Sequence, residues 1–183
     1  MSLNGYVAGP DISTQFPLGR GGERLHNWIF SEKTETDAQI LDETVNTSGA
    51  VIVGARTYLT AIDDEEAWGG KTPFAVPAFV PMREIPEKQV SGFTYVTTGI
   101  EDVLTQAKQA AGEKNVWVMG GANTIQEFLK RGLIDELKIH IANVLFREGT
   151  MPFENIGEID RELDRILVTD TPAATHIHFR VVK

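Results

Sequence analysis

The chain contains no cysteine among its 183 residues, which excludes disulfides, thiolate metal sites and a cysteine nucleophile. It lacks any apolar run near the roughly 20 residues that span a bilayer, and its N-terminus lacks the basic region and long apolar stretch of a signal peptide. A cytoplasmic protein is the expectation. Positive charge is scarce, with 17 Lys and Arg against 26 Asp and Glu, a net charge of −9. That balance argues against general binding to nucleic acid or to acidic membranes, because phosphate contacts need a basic face. A phosphorylated small molecule remains open, provided the positive charge that holds it is local. Repeats, low-complexity tracts and linkers are absent too. With 42% apolar and 23% charged residues, a single domain over residues 1–183 is expected.

What is present centres on Asn115-Val116-Trp117-Val118-Met119-Gly120-Gly121-Ala122-Asn123-Thr124-Ile125. Asn115 to Met119 is an almost wholly apolar run with two valines and a tryptophan, the pattern of a buried strand. Two glycines stop it, and Ala122 to Arg131 places Ile125, Phe128 and Leu129 at helical spacing, with Gly132 as the stop. Such a turn brings bare backbone N–H groups and a positive helix end up to an anion. Taken alone, it equally describes a tight turn that binds nothing. A second unit of the same kind lies earlier, where the strand Ala50 to Val53 runs through Gly54-Ala55-Arg56-Thr57 into a short helix with Tyr58, Leu59 and Ile62. Arg56 and Thr57 at that helix start are groups that suit a diphosphate, although the unit standing alone is better described by a solvated arginine and a capping threonine.

Around these units the pattern predicts a short strand over Ser2 to Ala8, a loop from Pro10 to Gly22, and a helix from Arg24 to Phe30 with Leu25, Trp28 and Ile29 on one face. Trp28 reads as a core aromatic and His26 as a surface histidine. Thr36 and Gln39 suit a capping box for the helix carrying Ala38, Leu41 and Val45. Asp63 to Thr72 is expected to be a surface loop, Val76 to Val80 and Phe93 to Val96 strands. Thr98 with Glu101 suits a capping box for a helix that turns Val103, Leu104, Ala107 and Ala111 inward and stops at Gly112. Glu136 to Leu145 alternates, with Leu137, Ile139 and Ile141 opposite Lys138 and His140. Arg165 to Thr169 and Thr175 to Val182 form an antiparallel pair. On the last strand His176, His178 and Arg180 share a face. Two histidines two apart lack an evident third metal ligand and are read as surface or interface residues, so no metal is expected. Strand–helix units followed by a strand pair imply an α/β fold, with helices on both faces of a mainly parallel sheet and an antiparallel C-terminal edge. Two glycine turns at strand ends point to a ligand crevice along the strands' carboxyl ends.

Val51-Ile52-Val53-Gly54-Ala55-Arg56-Thr57-Tyr58 resembles the strand-to-helix signature of dihydrofolate reductases, and Val116-Trp117-Val118-Met119-Gly120-Gly121 resembles their second nucleotide turn. Met1-Ser2-Leu3-Asn4-Gly5-Tyr6-Val7-Ala8-Gly9-Pro10 and Gly132-Leu133-Ile134-Asp135-Glu136-Leu137 are similar to a subgroup, the proteins related to the C-terminal reductase domain of the bifunctional riboflavin-biosynthesis deaminase–reductase. The resemblance runs from Met1 to about Val182. It implies a three-layer α/β/α fold, NADPH as cofactor, and a homodimer. By position, it puts Gly54, Arg56 and Thr57 at the diphosphate, and Gly120, Gly121, Ala122, Asn123 and Thr124 at the second phosphate and the nicotinamide side. It puts Arg83 at the 2′-phosphate, Thr97 or Thr98 beside the adenine, and Ala8 and Gly9 near the nicotinamide. It also implies that the Gly120–Gly121 peptide is cis.

The expected activity is hydride transfer from NADPH to a small pteridine- or pyrimidine-like heterocycle or a carbonyl. Asn4 is the candidate catalytic and substrate-binding group, hydrogen-bonding a substrate carbonyl while a water delivers the proton. Phe16, Trp28 and Tyr58 are candidate walls for a planar substrate. Asn4 stands where the family pattern has Asp, Ala55 where a basic residue often follows the glycine, and only Glu23 offers a carboxylate near the first helix. Folate is therefore not the expected substrate. The alternatives are a nucleotide-binding protein of the same fold without turnover, and an interaction domain that binds no nucleotide.

Overall fold

The computed structural model describes residues 1–62, 72–158 and 160–183. Of the expected surface loop from Asp63 to Thr72, all but Thr72 lies outside those residues. The chain divides into two compact units, one comprising Met1–Leu41 with Ile125–Lys183 and the other Asp42–Thr124. The fold is α/β, with a parallel four-stranded sheet and an antiparallel three-stranded sheet.

The unit of residues 42–124 is built on β1 (Ser48–Val53), α3 (Ala55–Ala61), β2 (Ala78–Pro81), β3 (Phe93–Val96), α4 (Ile100–Ala111) and β4 (Asn115–Gly120). Its strands are all parallel in the order β3-β2-β1-β4. The central strand explains why Ala50 to Val53 is wholly apolar: all four residues are fully buried, and each valine or isoleucine removed from water contributes about 1.5–3 kcal/mol. Helix α4 turns Val103, Ala107 and Ala111 inward and ends at Gly112 in the left-handed region, as its spacing predicts. Its expected capping box is not formed. The cap is Gly99, and Thr98 Oγ1 donates instead to the Asp102 carboxylate, one turn further along.

Tyr58, expected as a substrate wall, is a core residue with no exposed surface. Its ring packs 5.1 Å from Phe93, and its hydroxyl shares a 2.7 Å hydrogen bond with the hydroxyl of Tyr95. Burial, with that bond, raises the Tyr58 pKa. A tyrosine meets both demands here because its ring fills the core while its hydroxyl finds a partner. Tyr95 Oη also accepts from Val90 N–H at 2.8 Å. Tyr95→Phe leaves both groups unpaired and is expected to cost about 2 kcal/mol in urea unfolding. A change within experimental error would show that neither bond matters to stability.

The unit of residues 1–41 and 125–183 carries α1 (Asn27–Phe30), which continues a 3-10 turn over Gly22–His26, most of α5 (Ala122–Lys130), and β5 (Glu136–Ala142), β6 (Leu163–Asp170) and β7 (Ala174–Val181). These three strands are antiparallel in the order β5-β7-β6, with β6 at the edge. The expected first strand over Ser2 to Ala8 is not one. It makes two isolated bridges, Ser2 to Ala142 and Ala8 to Thr150, around a turn in which Gly5 takes a φ of 97°. Helix α2 (Glu35–Thr47) begins earlier than Thr36 and Gln39 suggested. Its box is Thr34 with Asp37: Thr34 N–H donates to Asp37 Oδ2 at 2.8 Å, and Asp37 N–H to Thr34 Oγ1 at 3.2 Å. Asp serves here in the place usually held by Glu or Gln.

Candidate functional site

Strands β1 and β4 are parallel neighbours, with Val53 paired to Gly120, so the two glycine turns emerge side by side at the same end of the sheet. Arg83 follows the end of β2, and Thr97 and Thr98 follow the end of β3. Every expected cofactor residue in the unit of residues 42–124 thus falls at the carboxyl edge of one parallel sheet, where open α/β sheets bind ligands. Arg56, Arg83, Thr97, Thr98 and Asn123 are exposed there, Thr57 and Thr124 half-buried, and Ala122 buried.

The two turns also touch. Gly54 N–H donates to Gly120 O at 2.5 Å, and the Gly120–Gly121 peptide is cis. A Cβ on Gly54 would lie 2.5 Å from Thr124 Oγ1, 2.9 Å from Gly121 N and 3.0 Å from Gly120 O. One on Gly121 would lie 3.1 Å from Thr57 Oγ1. Glycine is needed at position 54, because a side chain there would collide with the backbone of the second turn. The cradle offers backbone N–H groups, two threonine hydroxyls and a nearby guanidinium, a donor set suited to a phosphate chain. The residues present therefore fit a dinucleotide.

The expected residues of the other unit are engaged differently. Asn4 is spoken for: its Nδ2 donates to Phe146 O at 2.7 Å, and its Oδ1 accepts from Phe146 N–H at 3.1 Å and Ser2 Oγ at 3.0 Å. A carboxamide bonded on both ends pins the Phe146 loop and keeps a second Nδ2 hydrogen beyond the one given to Phe146 O. Ala8 O accepts from Thr150 N–H at 3.0 Å. Gly9 is crossed by the chain at Gly19 and Arg20, where a Cβ would fall 2.2 Å from Arg20 O. Packing within the unit accounts for that glycine. Trp28 is 5% exposed, its ring 4.6 Å from His140 and 4.9 Å from His176, so it is core and not a substrate wall. Phe16 is half-buried with the Arg20 guanidinium 5.1 Å above its ring.

A buried polar chain in this unit is not evident from the sequence. His176 is 5% exposed and Asp37 fully buried, and His176 Nε2 lies 2.9 Å from Asp37 Oδ1. On its other side His176 Nδ1 lies 2.7 Å from His140 Nδ1. Since the Asp37 carboxylate accepts from Nε2–H, His176 presents a bare Nδ1 and His140 donates to it. Burial alone would raise the Asp37 pKa, but hydrogen bonds from Thr34, Thr171 and His176 outweigh it and hold the carboxyl below its usual range. Burial first, and after it the neighbouring His176, the N-terminus and Lys138, push His140 down to about 3 against the opposing pull of Asp37. The alternation of β5 and β7 put these histidines on a polar face, which reads as solvent. Trp28 and the start of α2 cover it, so His176 is not a surface residue. The one signal for it in the sequence is the cap spacing Thr34-x-x-Asp37, which lies beside the competing Thr36-x-x-Gln39. Among the described residues no three His, Asp or Glu side chains converge as metal ligands would. No described helix is long and apolar enough to cross a membrane.

The model of the RibD C-terminal domain family matches residues 1–173. No curated protein matches the chain. Among solved structures, it is similar to a putative riboflavin biosynthesis protein from Shewanella sp. PV-4, with 22% identity and a TM-score of 0.74, over 100% of this chain and 96% of that one. It is also similar to a diaminohydroxyphosphoribosylaminopyrimidine deaminase/5-amino-6-(5-phosphoribosylamino)uracil reductase from Thermotoga maritima, with 15% identity and a TM-score of 0.62, over 99% of this chain and 54% of that one. A third is the dihydrofolate reductase from Enterococcus faecalis complexed with NADP(H), with 17% identity and a TM-score of 0.54, over 81% and 82% of the two chains. At these identities the likeness establishes the shared fold.

Proposed function

Given that the chain belongs to the RibD C-terminal domain family, we propose that it is an NADPH-dependent reductase acting on a small pteridine- or pyrimidine-like heterocycle or a carbonyl. The observation that carries this is the contact between two glycine turns at the carboxyl ends of adjacent parallel strands, with Gly54 held against Gly120 and Gly121. In this reading Gly54, Arg56, Thr57, Gly120, Gly121, Ala122, Asn123 and Thr124 hold the dinucleotide phosphates and nicotinamide side, with Ala8 and Gly9 beside the nicotinamide. Arg83 and the threonines 97 and 98 hold the adenosine end. The bound cofactor supplies the hydride, while the protein orients the ring and excludes water.

The engagement of Asn4 with Phe146 favours a second reading, a nucleotide-binding protein of the same fold that does not turn over. NADPH oxidation across a panel of pterins, pyrimidinones and quinones separates the two; tight binding with no oxidation supports the second. A cytoplasmic homodimer belongs to the same proposal. Supporting the homodimer, the edge strand β6 exposes Leu163, Ile166, Leu167 and Val168, and an unpaired edge of this kind is a template for another strand.

Calorimetric titration tests the cofactor first. NADPH is expected to bind well ahead of NADH, and Arg83→Ala to weaken NADPH by about tenfold or more while leaving NADH nearly unchanged, as loss of a bidentate partner to the 2′-phosphate requires. Equal losses for both nucleotides would remove Arg83 from that role. Binding of neither nucleotide would overturn the reductase proposal.

A further inference from the structure

The buried chain of Asp37, His176 and His140 ties together three elements that lie far apart in sequence, α2, β7 and β5. Each link is directional. Asp37 accepts from His176, which accepts in turn from His140, so each ring is held in one tautomer and one setting. A buried polar chain whose members are all bonded to one another makes a core rigid. Trp28 lies against both rings, tilted by 37° to His140 and T-shaped to His176, and packs on Ala173 and Ala174. An aromatic ring held between two fixed imidazoles is itself fixed.

What Trp28 fixes is α1, which continues the 3-10 turn over Gly22–His26. Leu25, 2% exposed, anchors that turn from the inside. Gly22, at its start, lies against Gly9: a Cβ there would fall 3.4 Å from Gly9 N and 2.9 Å from Leu18 Cβ. Two backbone bonds close the same contact, Gly9 N–H to Leu18 O at 2.9 Å and Arg20 N–H to Pro10 O at 2.7 Å. Residues 18–22 therefore hold the backbone of Gly9 and Pro10 at one end, and the imidazole chain holds α1, through Trp28, at the other. All of these residues belong to one unit. Packed side chains and short rigid elements in series are what carries a displacement from one place to another.

We propose that His140, His176 and Asp37 are positioning residues for the nicotinamide end of the cofactor, acting through Trp28 and the 3-10 turn on the backbone at Gly9. The inference rests on the dinucleotide reading above, in which Ala8 and Gly9 lie beside the nicotinamide. In this assignment none of the three touches the cofactor. They keep the Gly9 backbone where the ring meets it, so that binding does not have to order it. The adenosine end, held by residues of the other unit, is indifferent to the chain.

The test separates the two ends of the ligand. NADPH and adenosine 2′,5′-bisphosphate, which lacks the nicotinamide half, are titrated calorimetrically into the wild type and its variants. His140→Ala leaves His176 without its donor. It should weaken NADPH about tenfold, a loss of about 1.4 kcal/mol, and leave the bisphosphate unchanged. His140→Asn keeps a donor near the Nδ1 position and should restore NADPH to within about twofold of wild type. His178→Gln lies on the same strand but outside the chain, bonded to Glu136 in an exposed pair, and should change neither ligand. Hydrogen exchange on the wild type gives a readout that needs no variant: NADPH should slow the amides of residues 22–30, and the bisphosphate should not. That comparison carries the result if His140→Ala does not fold. The inference is overturned if His140→Ala weakens both ligands alike or neither, if His140→Asn fails to restore NADPH, or if NADPH leaves the exchange of residues 22–30 unchanged. Equal wild-type affinity for NADPH and the bisphosphate overturns it as well, and leaves the dinucleotide site standing. Binding of neither ligand overturns the dinucleotide reading, and this inference with it.

Discussion

Gly54→Ala is expected to abolish NADPH binding and to lower stability by about 2–3 kcal/mol. Backbone conformation is not the reason: Gly54 has φ −63° and ψ 143°, which alanine adopts freely. Collision is. The new methyl would lie within 3.0 Å of Gly120 O and Gly121 N, both backbone atoms, and closer still to Thr124 Oγ1. The hydroxyl can rotate away, but the peptide between β4 and α5 cannot move without parting the Gly54 N–H to Gly120 O bond that joins the turns. Relief of the clash therefore separates the two turns that together form the proposed phosphate cradle. Titration with NADPH and urea unfolding of the same variant give the two readouts. A variant destabilised by this amount that still bound NADPH at wild-type affinity would show that the contact holds the fold and not the cofactor.

Asp37→Ala is expected to cost about 3 kcal/mol, because it strips a buried histidine of its acceptor and opens the α2 capping box in one change. The same chain makes the protein sensitive to acid. His140 is held at about 3 in the fold against 6.5 when unfolded, so between those values the unfolded chain binds the extra proton. Stability therefore falls as pH drops below 6.5, by at most about 1.4 kcal/mol per unit. Asp37 is held below its ordinary 3.8, so its contribution is present above that pH and is lost as pH falls further. Both groups act in the same direction. Urea midpoints of the wild type are expected to decline steeply from pH 6.5 to 4. His140→Asn, which keeps a donor near the Nδ1 position for His176, should flatten that decline while leaving the midpoint at pH 7.5 within about 1 kcal/mol of wild type. An unchanged slope would place the acid sensitivity elsewhere.

The sequence by itself determined the parallel order of strand–helix units, the antiparallel pair that follows them, and the positions of both glycine turns. These are local features. A run such as Val51 to Val53, a glycine that ends it and a helical spacing after it are written within a dozen residues, and period and turn chemistry read them directly. Only the tertiary structure decided what the polar and aromatic residues between them do. Tyr58 and Trp28 carry the same apolar-face pattern whether that face meets a ligand or a core; here it meets Phe93 in one case and two histidines in the other. Asn4 is committed by Phe146, 142 residues away, and Asp37 by His176, 139 residues away. The adjacency of Gly54 and Gly120 likewise depends on β1 pairing with β4 rather than with another strand. A side chain's period along its own strand fixes which way it points. Whether water, a ligand or a partner waits there is set by strands and helices that the local pattern does not contain, because burial is a property of the assembled layers and not of any one of them.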